Sequence, residues 1–237
     1  MDGAKNMAIC SPQALAKCID HTLLRPEASA DDIRRLCAEA RAYGFASVCV
    51  QPVRVALAVQ ELENTGIAVG TVIGFPHGAS GTAVKVYEVE RAQEKGASEF
   101  DMVIDLGAVQ DGDWQLVATE VQQVAKRVHA TGGVLKVILE CALLNADQKR
   151  HAAEVALEGG ADYLKTSTGF ASGGATIEDV RLLRQVAGER CKVKAAGGIR
   201  TWRAALAMLE AGADRIGCSA SVMIMEEALQ AFDQTAY

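Results

Sequence analysis

Short runs of apolar and β-branched residues alternate along the chain with longer stretches whose apolar positions recur at helical spacing. The runs predict eight strands, at Ile19–Thr22, Ser47–Gln51, Ala68–Ile73, Phe100–Asp105, Leu135–Glu140, Tyr163–Thr166, Lys192–Ala195 and Arg215–Gly217. The longer stretches predict a helix after each, at Ala30–Tyr43, Pro52–Asn64, Gly81–Lys95, Asp113–Thr131, Ala146–Gly159, Ile177–Ala187, Trp202–Ala211 and Ser221–Phe232. Gly44, Gly66, Gly96 and Gly212 follow last turns, while Asp113, Asn145 and Thr176 stand as N-caps. Ser11 and Pro12 read as the cap and first residue of a short extra helix before the first strand.

Eight strand–helix units joined by right-handed crossovers can close into a parallel barrel. An open doubly wound sheet would instead carry Gly-x-Gly-x-x-Gly after its first strand, and none occurs here. No Pro/Gly/Ser-rich linker or charge run interrupts the rhythm, and 237 residues suit one such barrel. The expected fold is α/β, a (β/α)8 TIM barrel forming a single catalytic domain over residues 1–237, with a short N-terminal helix added.

Composition narrows the function. Half the residues are hydrophobic and 23% are charged, as in an ordinary folded enzyme. A net charge of −6 and a pI near 5.3 argue against nucleic acid or an anionic membrane as partner, so a phosphate ligand would need a local positive field. The seven cysteines form no Cys-x-x-Cys pair and no Cys/His zinc spacing, which suits free thiols in a reducing cytoplasm. The N-terminal stretch lacks the basic and apolar regions of a secretory signal, and no stretch reaches the roughly 18 apolar residues of a membrane span.

Catalytic residues of these barrels lie at the C-terminal ends of the strands and in the loops that follow. The polar residues there are Asp20 with Thr22, Cys49 with Gln51, Gly74 to His77, Asp101 with Asp105, Glu140, Lys165 to Gly169, Lys194 to Gly198, and Gly217 to Ser219. Three lysines fall on predicted strands. Lys136 comes early in LKVILE, short of the catalytic face, and reads as a member of an interior ion pair. Lys165 ends ADYLK before the polar loop TSTGF, and Lys194 ends KVK before AAGG.

Only a neutral amine attacks a carbonyl, and a free lysine with a pKa of about 10.4 is almost wholly protonated at neutral pH. A second ammonium about 4 Å away, at an effective dielectric of about 20, disfavours the charged form by roughly 4 kcal/mol, or about three pKa units. Lys165 and Lys194 end adjacent predicted strands, so one can activate the other. Snorkelling of both to solvent is the alternative. Asp101, set in the apolar run EFDMVI, either relays protons between the two or anchors them as an ion pair. Three glycine-bearing segments, TSTGFASGGAT, AAGGIRT and GCSAS, follow the last three strands and are either tight turns or the phosphate site common to this architecture. Gly197, Gly198, Gly217 and Ser219 are the candidate donors, with Gly169 on the other side.

Together IDHTLL, SVCVQP, EFDMVIDLGA, LKVILE, DYLKTSTGF and KAAGGIRT closely resemble the signature of the deoxyribose-phosphate aldolase family, a likeness running from about Ser11 to Glu227. The resemblance implies reversible cleavage of 2-deoxy-D-ribose 5-phosphate to acetaldehyde and D-glyceraldehyde 3-phosphate, with no metal and no organic cofactor. It implies Lys165 as the Schiff-base lysine, Lys194 as the lysine that tunes it and Asp101 as the relay carboxylate. It also implies Asp20, Thr22, Cys49 and Thr168 as residues of the substrate pocket, with Cys49 not a nucleophile. A homodimer is expected from similar proteins. The family commonly has Gly-Thr-Ser where this chain has Gly217, Cys218 and Ser219, and often glycine where Ser221 stands. Some members place a C-terminal tyrosine near the active site, which makes Tyr237 a candidate. Another lysine-dependent phosphosugar aldolase or a transaldolase-like enzyme is the nearest alternative, a sugar-phosphate isomerase a more distant one.

Overall fold

The computed structural model describes residues 11–235. Its strands are β1 (Ile19–Leu23), β2 (Ser47–Val50), β3 (Ala68–Ile73), β4 (Glu99–Val103), β5 (Val134–Ile138), β6 (Tyr163–Lys165), β7 (Lys192–Ala196) and β8 (Arg215–Cys218). Each pairs in parallel with the next in the chain, and β8 returns to β1. The closed eight-stranded parallel barrel expected from the alternation is therefore present. A closed barrel has no free sheet edge.

The helices are α1 (Pro12–Ala16), α2 (Ala30–Tyr43), α3 (Val55–Glu61), α4 (Thr82–Glu94), α5 (Leu106–Asp111), α6 (Trp114–His129), α7 (Ala146–Glu158), α8 (Ile177–Ala187), α9 (Trp202–Glu210) and α10 (Ser221–Thr235). Their apolar stripes and the outward residues of the strands make the main core. Ile33, Leu36 and Cys37 of α2 are buried in it with Val48 and Val50 of β2, and Val117, Val121 and Val124 of α6 with Phe100 and Leu135. Each large aliphatic side chain buried this way contributes about 1.5–3 kcal/mol.

Side chains bind the helix starts as anticipated: Ser11, Asp113, Asn145 and Thr176 each accept from a backbone N–H in the first turn. Two predicted units differ. The stretch Pro52–Asn64 divides into a 3-10 turn over Pro52–Arg54, with Pro52 at its first position, and α3. β4 ends at Val103, and Asp105 caps the short helix α5, which Gly112 closes at φ 72°. A helix of six residues is too short to register as a period of its own. Tyr237 lies outside the described residues.

Candidate active site

Register decides which side chains share the barrel interior, since paired residues of parallel strands face the same side. Asp101 pairs with Lys136, Lys165 with Lys194, Lys194 with Arg215, and Asp20 with Ser47 and Gly217. The interior is thus a charge network rather than an apolar plug. Lys136 Nζ lies 3.1 Å from Asp20, 2.6 Å from Glu99 and 2.9 Å from Asp101. Arg215 pairs with Asp20 and, at 3.7 Å, with Glu99. One carboxylate oxygen, Asp101 Oδ2, accepts from both Lys165 Nζ and Lys194 Nζ at 2.7 Å each. Lys194 also lies 2.6 Å from Asp20.

Four cations, Lys136, Lys165, Lys194 and Arg215, therefore meet three anions, Asp20, Glu99 and Asp101. An unbalanced charge in a dry interior is costly, and loss of one proton balances the set. Lys165 is the member that gives it up most readily. Burial lowers its pKa, the Asp101 carboxylate pushes it back, and the Lys194 ammonium lowers it again, so the result is below the ordinary lysine value. Burial also pulls on Lys136 and Lys194, yet Asp101 and Asp20 raise both above that value. Burial alone would raise the pKa of Asp101; the ammonium groups of Lys136, Lys165 and Lys194 overcome it and hold the carboxyl well below the usual range. The sequence reading named Lys194 as the agent that depresses Lys165; burial is the larger agent.

Lys165 reaches the floor of a cavity of about 290 Å³ at the C-terminal mouth of the barrel. Thr22, Thr168, Gly169, Gly197, Gly198, Gly217 and Ser219 border the same cavity. The backbone N–H groups of Gly169, Gly197, Gly198 and Ser219 find no acceptor among the described residues. Four unpaired amides on three neighbouring loops form a nest able to take an anion. Gly197 sits at φ 92°, where an added Cβ would come within 3.0 Å of Gly174 Cα, so the close approach of the two loops requires glycine there.

Thr22 donates to the Asp20 carbonyl at 2.8 Å, and Thr168 donates to Glu140 while accepting from the Phe170 N–H at 3.0 Å. Two expectations need correction. Asp20 does not border the cavity: it is fully enclosed beneath it, with Ser47, Lys136, Lys194 and Arg215 around its carboxylate, so it has no face to offer a ligand. Cys49 does not border it either; it packs with Leu24 and Val72 under Phe75. Burial pushes its thiol up to about 11, which keeps it protonated.

Three features went unassigned in the sequence. Glu140, named only as a strand-end polar residue, turns at φ 52° and accepts from both the N–H and the hydroxyl of Thr168, so it organises the loop after Lys165. Phe170 stands half exposed at the cavity rim with its ring edge-on to Phe75, centroids 5.2 Å apart. Arg200 brings positive charge to the same rim, where Arg25 is already paired with Glu27 and Asp32. Arg200, directly after AAGGI, was the readable signal for the local positive field that an acidic protein needs. Among the described residues no group of three or more His, Cys, Asp and Glu side chains is placed to hold a metal ion, and no helix is long and apolar enough to cross a membrane.

Comparison with known proteins agrees with this geometry. The deoxyribose-phosphate aldolase of Thermococcus gammatolerans is 53% identical over 219 residues, covering 92% of this chain and 97% of its own length. That of Caldanaerobacter subterraneus is 51% identical over 214 residues, covering 90% and 93%. The tetrameric deoxyribose phosphate aldolase of Aeropyrum pernix superposes with a TM-score of 0.88 at 36% identity, over 93% of each chain. The model of the DeoC/LacD family aldolases matches residues 14–224, and with its lysine-bearing barrel interior the chain belongs to that family.

Proposed function

We propose that this protein is a deoxyribose-phosphate aldolase, a class I carbon–carbon lyase in which Lys165 forms the Schiff base. The observation that carries the reading is a buried lysine of lowered pKa on the floor of a cavity whose far wall offers unpaired backbone amides. A carbonyl at one end and a phosphate at the other fit that arrangement, and the names of its relatives supply the sugar.

Neutral Lys165 adds through Nζ to C1 of the open-chain sugar, water leaves, and a cationic imine forms. As the C3 hydroxyl loses its proton, the oxygen electrons form the C3 carbonyl of glyceraldehyde 3-phosphate, and the C2–C3 bond breaks with its electron pair passing to the imine, which becomes an enamine. The enamine that remains takes a proton at its terminal carbon, and hydrolysis frees acetaldehyde and the amine. Lys194 and Asp101 are the proposed proton relay, because one oxygen of Asp101 touches both ammonium groups and Lys194 stays charged when Lys165 is neutral. The amides of Gly169, Gly197, Gly198 and Ser219, with Arg200 and Gly217 beside them, hold the phosphate. Thr22 and Thr168 face the sugar between.

Borohydride reduction in the presence of acetaldehyde, followed by peptide mass analysis, tests the imine. A stable adduct on Lys165 is expected, and an adduct on another lysine or none would defeat the assignment. Cleavage of 2-deoxyribose 5-phosphate in preference to other phosphosugars then separates this reading from that of a different lysine aldolase. One catalytic domain over residues 1–237, assembled as a cytoplasmic homodimer, completes the proposal. It is supported by the prevalence of two-fold assemblies and by the free, buried state of the six cysteines among the described residues, and light scattering checks the dimer.

A further inference from the structure

Ser221, in the first turn of α10, is fully buried and does not line the cavity at the barrel mouth, yet its hydroxyl is the meeting point of three groups. Its Oγ lies 3.0 Å from the Cys218 carbonyl oxygen, 3.2 Å from Cys218 Sγ and 3.0 Å from His21 Nδ1. The His21 ring is enclosed in turn, tilted against Phe45 at 5.1 Å, with Nε2 2.7 Å from Glu39 Oε2 on α2. Ser221 gives its proton to the Cys218 carbonyl, and its oxygen accepts from the Nδ1–H of His21, whose buried ring favours the neutral form and has one N–H to give. Hydrogen bonds then tie β1, through His21, and α10, through Ser221, to one carbonyl at the end of β8.

That carbonyl shares its peptide plane with the N–H of Ser219. The bond is trans, so the two groups point in opposite directions. Fixing the oxygen on the α10 side aims the Ser219 amide the other way, on the side where Gly217 and Ser219 border the cavity, and there that amide has no protein acceptor. An amide held in place before a ligand arrives loses no freedom on binding, and the affinity gains accordingly.

We propose that Ser221, braced by His21, is a positioning residue for the phosphate end of the substrate: it sets the direction of the Ser219 amide without touching the ligand. The proposal rests on the phosphosugar reading above. Losing one oriented hydrogen bond should weaken binding by about three- to tenfold.

The test compares the parent with Ser221→Ala and His21→Phe. Three quantities are read: kcat and KM for 2-deoxyribose 5-phosphate, kcat/KM for unphosphorylated 2-deoxyribose, and the Kd for inorganic phosphate by calorimetry. Both variants should raise KM and the phosphate Kd by that factor, with kcat nearly constant, so that the preference for the phosphorylated sugar falls in proportion. Unchanged KM and Kd would overturn the proposal, as would an equal loss on both sugars, which is the mark of a general structural defect. If His21→Phe does not fold, Ser221→Ala decides alone. A parent inactive on the phosphosugar that still binds phosphate in a Ser221-dependent way would remove the proposed function and leave this inference standing.

Discussion

Lys136 and Lys165 are both enclosed in the barrel, on neighbouring strands and within reach of the same aspartate. Register separates them: Lys136 is level with Tyr163, and Lys165 is two residues further toward the mouth. In the lower layer Lys136 has three carboxylates within 3.1 Å, whereas Lys165 above has a single carboxylate oxygen that it must share with Lys194. Burial disfavours the charge on both. The carboxylates outweigh burial for Lys136 and fail to for Lys165, so one lysine is locked as a cation and the other is poised to lose its proton. Equal burial with unequal partners is what divides a structural lysine from a nucleophile.

Several experiments would break or sharpen this contrast. Replacing Lys165 with Met should reduce cleavage by about 10⁴-fold or more while the melting temperature holds, because it removes the amine and leaves three cations against three anions. Substantial residual activity would show that the nucleophile lies elsewhere. Lys136→Met should do the reverse and act on stability first, costing about 3–5 kcal/mol by stranding buried carboxylates. Chemical denaturation reads this directly, and a tolerated substitution would contradict the lower layer as described.

A smaller effect is expected at Lys194. Its ammonium depresses the pKa of Lys165, and without it Asp101 turns wholly to Lys165; both changes favour the charged amine. In the parent, the rate of borohydride trapping should rise with pH and reach half its maximum below the ordinary lysine value. In Lys194→Met the midpoint should move upward, with trapping at neutral pH slower by about tenfold for each unit of that shift. A midpoint that stays still or falls would disprove the coupling. The smallest effect belongs to Cys49→Ala, expected to cost about 1 kcal/mol of stability through lost packing with Leu24 and Val72 and to leave the rate within about twofold.

Much of this was legible from the chain. The alternation of apolar runs and helical periods determined eight units and hence the barrel, because each strand and each helix must bury a face of fixed period. Position at a strand end singled out Lys165 and Lys194, and an apolar setting that demands a partner singled out Asp101. The caps Asp113, Asn145 and Thr176 were readable because capping is local, a side chain bonding an amide three residues on.

What the sequence could not supply was partnership across the barrel. Asp20 reads as a strand-end carboxylate, but only the closure of β1 against β8 sets Arg215, Lys136 and Lys194 around it and turns it from a ligand-facing group into a buried strut. Cys49 has the right spacing for a pocket residue, and packing buries it under Phe75. The tie from His21 to Ser221 spans nearly the whole chain. Strand order and facing follow from periods written locally in the residues, whereas the charge state of each interior group depends on which others share its layer, and only the closed barrel brings them together.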